Sequence, residues 1–334
     1  MLVTGGAGFI GSHFVHYCQK HYPNRQIVNI DKLTYAGCLK HLDNLPCPEQ
    51  HHFIQKDITD RLFIDALLRE FVIDTIVHFA AETHVDRSIY DPTRFVQTNV
   101  LGTLTLLESS RNYWLEEKNW DARYCRFHHI STDEVYGSLE RDEPAFTETT
   151  PYKPSSPYSA SKAASDHLVN AYYRTYSLPT TVTHCSNNYG FFQHAEKFIP
   201  TIIHACLNEK TIPVYGNGSN IRDWLYVDDH CRAIDAVIGQ GTIGETYNIG
   251  GNNELSNLEV VHTICEILAK LRPTYYNYAK LITFVKDRAG HDWRYAVDTT
   301  KITEQLAWKP KESFASGIQR LLFDYLEKSQ IMAI

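Results

Sequence analysis

Leu2-Val3-Thr4-Gly5-Gly6-Ala7-Gly8-Phe9-Ile10-Gly11 reads as a short apolar strand, a glycine-rich turn and the start of a helix. Two glycine registers are legible in it. Gly6, Gly8 and Gly11 fit G-x-G-x-x-G, and Gly5, Gly8 and Gly11 fit G-x-x-G-x-x-G. In either register the backbone can approach a pyrophosphate, which rests on the unpaired N–H groups of the helix start. Turn glycines alone are a weak signal, and the next element makes this one specific. Ile27-Val28-Asn29-Ile30 reads as a second strand ending in Asp31. An acid roughly 20 residues beyond the glycines is placed to meet ribose hydroxyls. A carboxylate there repels a 2′-phosphate, so NAD is favoured over NADP.

Working outward, Phe53-Ile54-Gln55 is a third strand, followed by Asp57-Ile58, an acid placed to reach an adenine. Asp60 to Glu70 predicts a helix whose core-facing stripe is Leu62, Phe63, Ala66, Leu67 and Phe71. Asp74 to Phe79 is a fourth strand running into Ala80-Ala81-Glu82-Thr83-His84-Val85-Asp86-Arg87-Ser88. Small Ala80 and Ala81 suit close approach of a cofactor. Thr83, His84 and Ser88 are candidates to line a site, and equally to cap or fill a loop. Asp91-Pro92 predicts a helix start, with aspartate as cap and proline in the first turn. That helix continues through Asn99, Leu101, Leu104, Leu107 and Trp114. Its apolar stripe fits an oligomer face as well as packing on a sheet.

A fifth strand, Arg123 to Ile130, takes in Tyr124 and Phe127 and delivers Ser131-Thr132-Asp133-Glu134-Val135-Tyr136-Gly137. Two adjacent carboxylates thus stand at a strand's carboxyl end, where open α/β sheets bind ligands. Pro144, Pro151, Pro154 and Pro157 predict a loop over that site. A helix from Ser156 to Tyr176 then carries Tyr158 and Lys162, which are four apart and share a face. An ammonium beside a phenol favours the phenolate, which otherwise forms near pH ~10. The Thr132 hydroxyl, the two acids and the tyrosine make a proton-handling set.

Thr180 to His184 is a further strand, ending at Cys185-Ser186-Asn187-Asn188-Tyr189-Gly190. Beyond it the strand–helix alternation weakens through Lys197-Phe198-Ile199-Pro200 and Pro213-Val214-Tyr215-Gly216, and the chain closes on an amphipathic helix near Phe314 to Leu326. Arg222 and Arg288, in loops of an acidic protein, are candidate diphosphate clamps, because guanidinium forks match phosphate oxygens. The expected architecture is α/β: a Rossmann-type doubly wound parallel sheet with a smaller, irregular α/β substrate-binding lobe. Residues 1–184, joined by parts of 220–250, are expected to hold the cofactor, and 185–334 the substrate.

The chain has 334 residues, 43% hydrophobic and 21% charged, with net charge −7 and no Lys/Arg run. That balance fits a soluble globular protein and argues against nucleic acid or a membrane surface as a partner. No apolar run approaches the ~20 residues of a membrane span, and no signal-peptide pattern is visible. A cytoplasmic location is expected. The eight cysteines are scattered without a Cys-x-x-Cys pair, as reduced thiols would be. Among seventeen histidines, the adjacent pairs His51-His52 and His128-His129 would point to opposite faces of a strand, and no metal is expected.

The glycine loop, Asp31, Thr132 and Tyr158-x-x-x-Lys162 resemble the extended short-chain dehydrogenase/reductase superfamily. The resemblance narrows at 131–137, at 185–190 and at Ile221-Arg222-Asp223-Trp224-Leu225-Tyr226-Val227 to the nucleotide-sugar 4,6-dehydratases acting on dTDP-glucose, and it spans essentially the whole chain. The Asp133-Glu134 pair is its most specific part, since the related 4-epimerases lack it.

The resemblance implies an NAD-dependent cycle. Tyr158, assisted by Lys162 and Thr132, would take the proton from the hydroxyl on sugar carbon 4. Glu134 would remove the hydrogen on carbon 5, and protonated Asp133 would donate to the hydroxyl leaving carbon 6. Adjacent acids with opposite duties need their pKa values pushed apart. It further implies that Gly5, Gly8, Phe9, Ile10 and Gly11, then Asp31, Lys32 and Thr34, contact the cofactor. Asp57, Ile58, Ala80, Ala81 and Asn99 join them. Thr83, His84, Ser88, Asn187, Lys197 and Phe198 would meet the nucleotide sugar, with Tyr215 and Pro213 near the base. Arg222 and Arg288 would hold the diphosphate, and Asn257 and His291 complete the set. A homodimer through the helices near Asn99 to Arg111 and Ser156 to Tyr176 is implied as well.

The sequence departs from the resemblance near the substrate lobe. Gly190 is followed by Phe191 where proline is expected, Ala289 stands for a proline, and Trp293 for an arginine. Two other readings stay open: a 4-epimerase or dehydratase of another nucleotide sugar, which intact Asp133-Glu134 disfavours in its epimerase form, and a non-catalytic sensor on the same fold.

Overall fold

The computed structural model describes residues 1–287 and 291–331. Its strands, in chain order, begin with β1 (Leu2–Thr4), β2 (Ile27–Asp31), β3 (His51–Gln55), β4 (Thr75–His78), β5 (Arg126–Thr132) and β6 (Thr180–Cys185). They continue with β7 (Asn187–Tyr189), β8 (Ile212–Tyr215), β9 (Ile221–Tyr226), β10 (Thr246–Ile249), β11 (Glu254–Ser256) and β12 (Ile282–Val285). Seven form one parallel sheet in the order β10-β6-β5-β4-β1-β2-β3. A three-stranded sheet, β11-β9-β7, and the pair β12-β8 build the smaller lobe. The order reverses direction between β1 and β4, the switch point at which such sheets leave a crevice at their carboxyl ends.

Helices cover both faces because the strands are apolar on both. Leu2 and Ile76 point into one layer with Ile64, Leu67, Leu106, Leu107, Trp114 and Val169. Val3 and Val77 point into the other with Phe14, Val15, Val227 and Ile234. The first layer belongs to the helices Arg61–Glu70 and Pro157–Tyr176 and to the helical run 92–117, the second to Phe9–His21 and Val227–Gln240. The chain thus leaves the large sheet after β6, builds part of the lobe, and returns with β10 beside β6. Ile302, Leu306 and Trp308 pack on this returning part. The lobe has its own core, in which Tyr189, Trp224, Tyr278 and Phe314 meet Ile199, Ile202 and Ile264.

Four local expectations are corrected. On the helix Arg61–Glu70 the buried residues are Ile64, Leu67 and Leu68, while Leu62 is 83% exposed and Ala66 also faces solvent. Leu62→Lys is therefore expected to change unfolding stability by no more than ~0.5 kcal/mol. Leu67→Ala should cost about 2–5 kcal/mol, and urea unfolding of both variants checks the phase of the helix. Tyr124 precedes β5 and is 66% exposed. Asp91 forms no side-chain cap; its carboxylate pairs with Arg94 at 2.9 Å instead. Finally, the run 92–117 is not uniformly α-helical: Val96–Gly102 and Arg111–Glu117 are π-helical turns. Each such turn winds wider than an α-turn and shifts which residues face the sheet.

Candidate active site

The cleft at the carboxyl ends of the strands runs from Asp31 and Asp57 at one end to Asp133, Glu134, Tyr158 and Lys197 at the other. The glycine turn forms its floor, and the structure selects the register. Gly5, Gly8 and Gly11 line the cleft with Phe9 and Ile10, whereas Gly6 packs against the Asn29 side chain. Gly5 sits at φ +73, and a Cβ there would lie 2.6 Å from the Ala80 nitrogen. At Gly11 a Cβ would lie 2.3 Å from the Gly5 carbonyl oxygen. Any side chain would push the turn off β4 or off its own helix, so the bare backbone that faces an anion is built in.

Asp31 ends β2 and accepts hydrogen bonds from the backbone N–H groups of Ala7 (3.0 Å) and Leu33 (2.8 Å). These fix its carboxylate at the mouth of the turn, while burial raises its pKa above the ordinary range. Lys32 pairs with Asp57 at 2.6 Å, and Thr34, Ile58, Ala80 and Ala81 complete this half of the wall. Asn99 does not reach the cleft. It stands behind it, bonded to both backbone groups of Glu82 and donating to Ser161 Oγ at 2.8 Å. Its neighbour Thr98 takes the lining position.

At the other end β5 runs on through Thr132, and the acids sit on a single 3-10 turn, Asp133–Tyr136. Thr132 Oγ1 accepts from the Glu134 N–H at 3.3 Å and lies 3.4 Å from Asp133 Oδ1, toward which it donates. Asp133 is buried, and its Oδ2 has no hydrogen-bond partner. Burial, and secondly the Glu134 charge beside it, push its carboxyl well above the usual range. Both causes favour the protonated acid, the form that has a proton to give.

Tyr158 and Lys162 occupy the first turns of the helix Pro157–Tyr176, which a Ser156/Ser159 capping box starts. Both are buried. Lys162 Nζ donates to the Ile130 carbonyl at 2.8 Å and lies 3.4 Å from His129 Nε2. Burial pushes its pKa down to about 8. For Tyr158 the expected direction is reversed in the protein by itself. Burial, and then the Glu134 charge, push the phenol well above its ordinary value, with Thr132 pulling the other way. The chain alone holds Tyr158 protonated, and lowering it takes positive charge brought into the cleft.

Of the residues expected to meet substrate, Thr83, Asn187 and Lys197 line the cleft, Lys197 donating to the Thr83 carbonyl at 3.3 Å. The Asn187 Oδ1 is buried without a hydrogen-bond partner. Others lie apart. Ser88 is buried and donates to the Val85 carbonyl, and His84 caps the helix Val85–Tyr90 while facing Glu196. Phe198 stacks on Trp224 in the lobe, and Pro213 and Tyr215 are exposed on β8. Asn257 starts the helix Asn257–Leu271, and His291 pairs with Asp287 at 2.7 Å. Arg222 is buried, stacks on Tyr295 and donates to the carbonyls of Ile221, Asp292 and Trp293, so it ties β9 to the segment 292–293 beside it. Arg288 lies outside the described residues.

The proline-bearing loop does not cover the cleft. It packs behind the site, where Phe146 stacks on Tyr136 and Tyr152 bonds His184. Lining residues the sequence reading missed include Lys56, Thr98, Gln193 and His194. Lys56 adjoins an anticipated acid, but Gln193 and His194 enter through a turn with no motif of its own.

The donor set suits a dinucleotide. A glycine floor at a helix N-terminus, an acid at the end of β2 and a second acid after β3 follow one another along the cleft, and orphaned polar atoms wait at Asn187 and Asp133. The sequence profile of the GDP-mannose 4,6 dehydratase family matches residues 2–321. A dTDP-glucose 4,6-dehydratase of Shigella flexneri is 51% identical over 98% of this chain and 92% of its own length. The crystal structure of a dTDP-glucose 4,6-dehydratase from Bacillus anthracis in complex with NAD is 43% identical and superposes with TM-score 0.87, covering 98% of this chain and 97% of that one. Another from Streptomyces venezuelae, with NAD and dTDP bound, is 44% identical with the same TM-score, covering 98% and 96%.

Proposed function

The chain belongs to the GDP-mannose 4,6-dehydratase family, and we propose that it is an NAD-dependent dTDP-glucose 4,6-dehydratase, a hydro-lyase. Its product is dTDP-4-keto-6-deoxyglucose. One observation carries the reading: a buried Asp133, its carboxyl pushed toward the protonated form, beside Glu134, in the same cleft as Tyr158 and the glycine floor.

NAD fits that cleft and supplies, when bound, a hydride acceptor at sugar carbon 4, the same hydride for carbon 6, and a positive charge near the phenol. In this reading Gly5, Gly8 and Gly11 with Phe9 and Ile10 hold its pyrophosphate, and Asp31 its ribose hydroxyls. Lys32, Thr34, Asp57 and Ile58 surround its adenine end, and Ala80 and Ala81 leave it room.

Tyr158 takes the proton from the carbon 4 hydroxyl, whose oxygen Thr132 holds. The ketone that forms acidifies carbon 5. Glu134 takes that proton and returns it to carbon 5 once carbon 6 is reduced, and Asp133 gives its own to the hydroxyl departing from carbon 6, so water leaves without free hydroxide. The upward push on Asp133, to which burial and then the neighbouring Glu134 charge contribute, supports this division. Thr83, Asn187 and Lys197 hold the sugar diphosphate. The lobe, from 185 on apart from the parts of 220–250 that join the cofactor half of 1–184, takes the nucleotide, with Phe198, Pro213, Tyr215, Asn257 and His291 around it and Arg222 as a fixed positive charge.

The protein is proposed to act as a homodimer in the cytoplasm. Val96 and Leu101 on the helical run 92–117, with Tyr90 just before it, leave apolar surface exposed, which supports a pairing face there. Among the described residues no helix is long and apolar enough to cross a membrane. The test is incubation with dTDP-glucose, UDP-glucose and GDP-mannose in parallel, followed by mass spectrometry. Loss of one water from dTDP-glucose alone is the expected result. Loss from another nucleotide sugar instead would move the base specificity, and loss from none would overturn the reading.

A further inference from the structure

Behind the cleft lies a buried cluster that the reaction as described does not use. Asp166 stands one helical turn beyond Lys162 and is fully buried. Its Oδ2 accepts from Ser131 Oγ at 2.9 Å and faces His184 Nε2 at 2.9 Å. Its Oδ1 lies 3.3 Å from His129 Nε2, within ion-pair range but without hydrogen-bond geometry. The same His129 Nε2 is 3.4 Å from Lys162 Nζ. One imidazole nitrogen is therefore interposed between an ammonium and a carboxylate.

We propose that Asp166, which faces Lys162 across the His129 ring nitrogen, is the counter-charge that keeps the Lys162 ammonium protonated in the working cleft. The role is one of positioning and refines the dehydratase reading, on which it rests. A buried ammonium without a nearby anion gives up its proton, so the question is which neighbour is negative. His129 on β5 and His78 on β4 are held neutral, burial pushing the first down to about 4 and the second well below its usual value. Cys185 on β6 is a neutral thiol, pushed up to about 12 by burial. Asp133, which acts on the same Cys185, is pushed toward its protonated, uncharged form by burial and the Glu134 charge. Tyr158, one turn before Lys162, is a neutral phenol in the unliganded chain.

Asp166 is different. Burial alone would raise it, but the contacts from His129 and His184 prevail and hold it well below the usual carboxylate range. It is the settled negative charge in the buried surroundings of Lys162, and it is the largest influence opposing desolvation there. Ser131 and His184, both at Asp166 Oδ2, serve this end by keeping Asp166 ionised.

The test is an ultraviolet titration of Tyr158 in the NAD-loaded enzyme without substrate. The signal is isolated from the 21 tyrosines by subtracting Tyr158→Phe. In Asp166→Asn, Lys162 loses its charge, and Tyr158 ionisation is expected to move to higher pH by about one unit or more. With dTDP-glucose, the basic limb of the kcat profile should move in the opposite direction, to lower pH, as the lysine deprotonates sooner. An Asp166→Asn titration superposed on wild type overturns the proposal, whatever happens to activity. If Asp166→Asn does not accumulate as folded holoenzyme, the pair Asp166→Glu and Asp166→Gln decides. Glutamate keeps the negative charge and should titrate nearer to wild type, while glutamine, of the same shape and uncharged, shows the shift. Equal titrations in both overturn the proposal. A wild-type enzyme inactive on dTDP-glucose would count against the function and leave the titration to judge Asp166.

Discussion

Tyr158→Phe is expected to abolish oxidation at carbon 4 while leaving dTDP-glucose binding nearly unchanged. The substitution keeps the ring and its edge-on contact with Phe95 (centroids 6.3 Å apart), and removes one buried oxygen. Loss of a positioned base costs roughly 10²–10⁴ in rate. The upper end, about 10⁴-fold in kcat, is expected here, because Glu134 is assigned to carbon 5. Single-turnover absorbance of the reduced nicotinamide measures the oxidation, and equilibrium dialysis with dTDP the binding. Wild-type turnover in this variant would falsify the phenolate role. In the wild-type enzyme the sign of the pH dependence follows from burial. A phenol pushed upward is deprotonated only as pH rises, so the rate should climb with pH on its acid limb until Lys162 begins to lose its charge.

The double variant Asp133→Asn, Glu134→Gln should separate the two halves of the reaction. Both replacements are isosteric and uncharged, so the 3-10 turn and the Thr132 contacts are kept, but neither can exchange a proton at neutral pH. Oxidation is expected to proceed and elimination to stall. The reduced nicotinamide signal should appear and persist, with the 4-keto-6-deoxy product formed at least about 10⁴-fold more slowly, as two acid–base contributions are withdrawn together. Removing both acids also relieves a local charge that opposes phenol ionisation, since Glu134 is the second cause of the raised Tyr158 value. The oxidation step should therefore shift toward lower pH in the double variant. Full-rate product formation would contradict the assignment of both carboxylates.

Much of this was legible in the chain because strand ends and helix periods leave marks that do not depend on distant contacts. The glycine turn, Asp31 after β2 and the acids after β5 are all fixed by where an apolar run stops. Tyr158 and Lys162 are joined by the four-residue helix repeat. What could not be read depends on burial. Leu62, Phe63, Ile64, Leu67 and Leu68 offer a helix two plausible apolar phases, and only the sheet beneath it selects Ile64, Leu67 and Leu68. A π-turn sets Asn99 behind the wall and Thr98 on it, a change that α-helical counting cannot anticipate. The direction of the Tyr158 shift is set by desolvation, which has no sequence signature, so pairing with Lys162 alone gave the opposite sign. Arg222 looked like a free cation for phosphate, yet its guanidinium straps three carbonyls of its own lobe. Asp166 was within reach, four residues past Lys162, but an acid on a helix reads as solvent-facing until the histidines of two other strands are seen against it.

The return of the chain to place β10 against β6 has a consequence for how the protein is made. During synthesis β1 to β6 emerge first, and β6 is then the sheet's terminal strand, with every residue destined for burial. An uncovered strand of that kind is a template for pairing with another chain. It stays uncovered until Thr246–Ile249 arrives, after much of the lobe has been translated. A ribosome that pauses between residues 190 and 245 would prolong the aggregation-prone interval, and a truncated chain ending there would remain in it permanently.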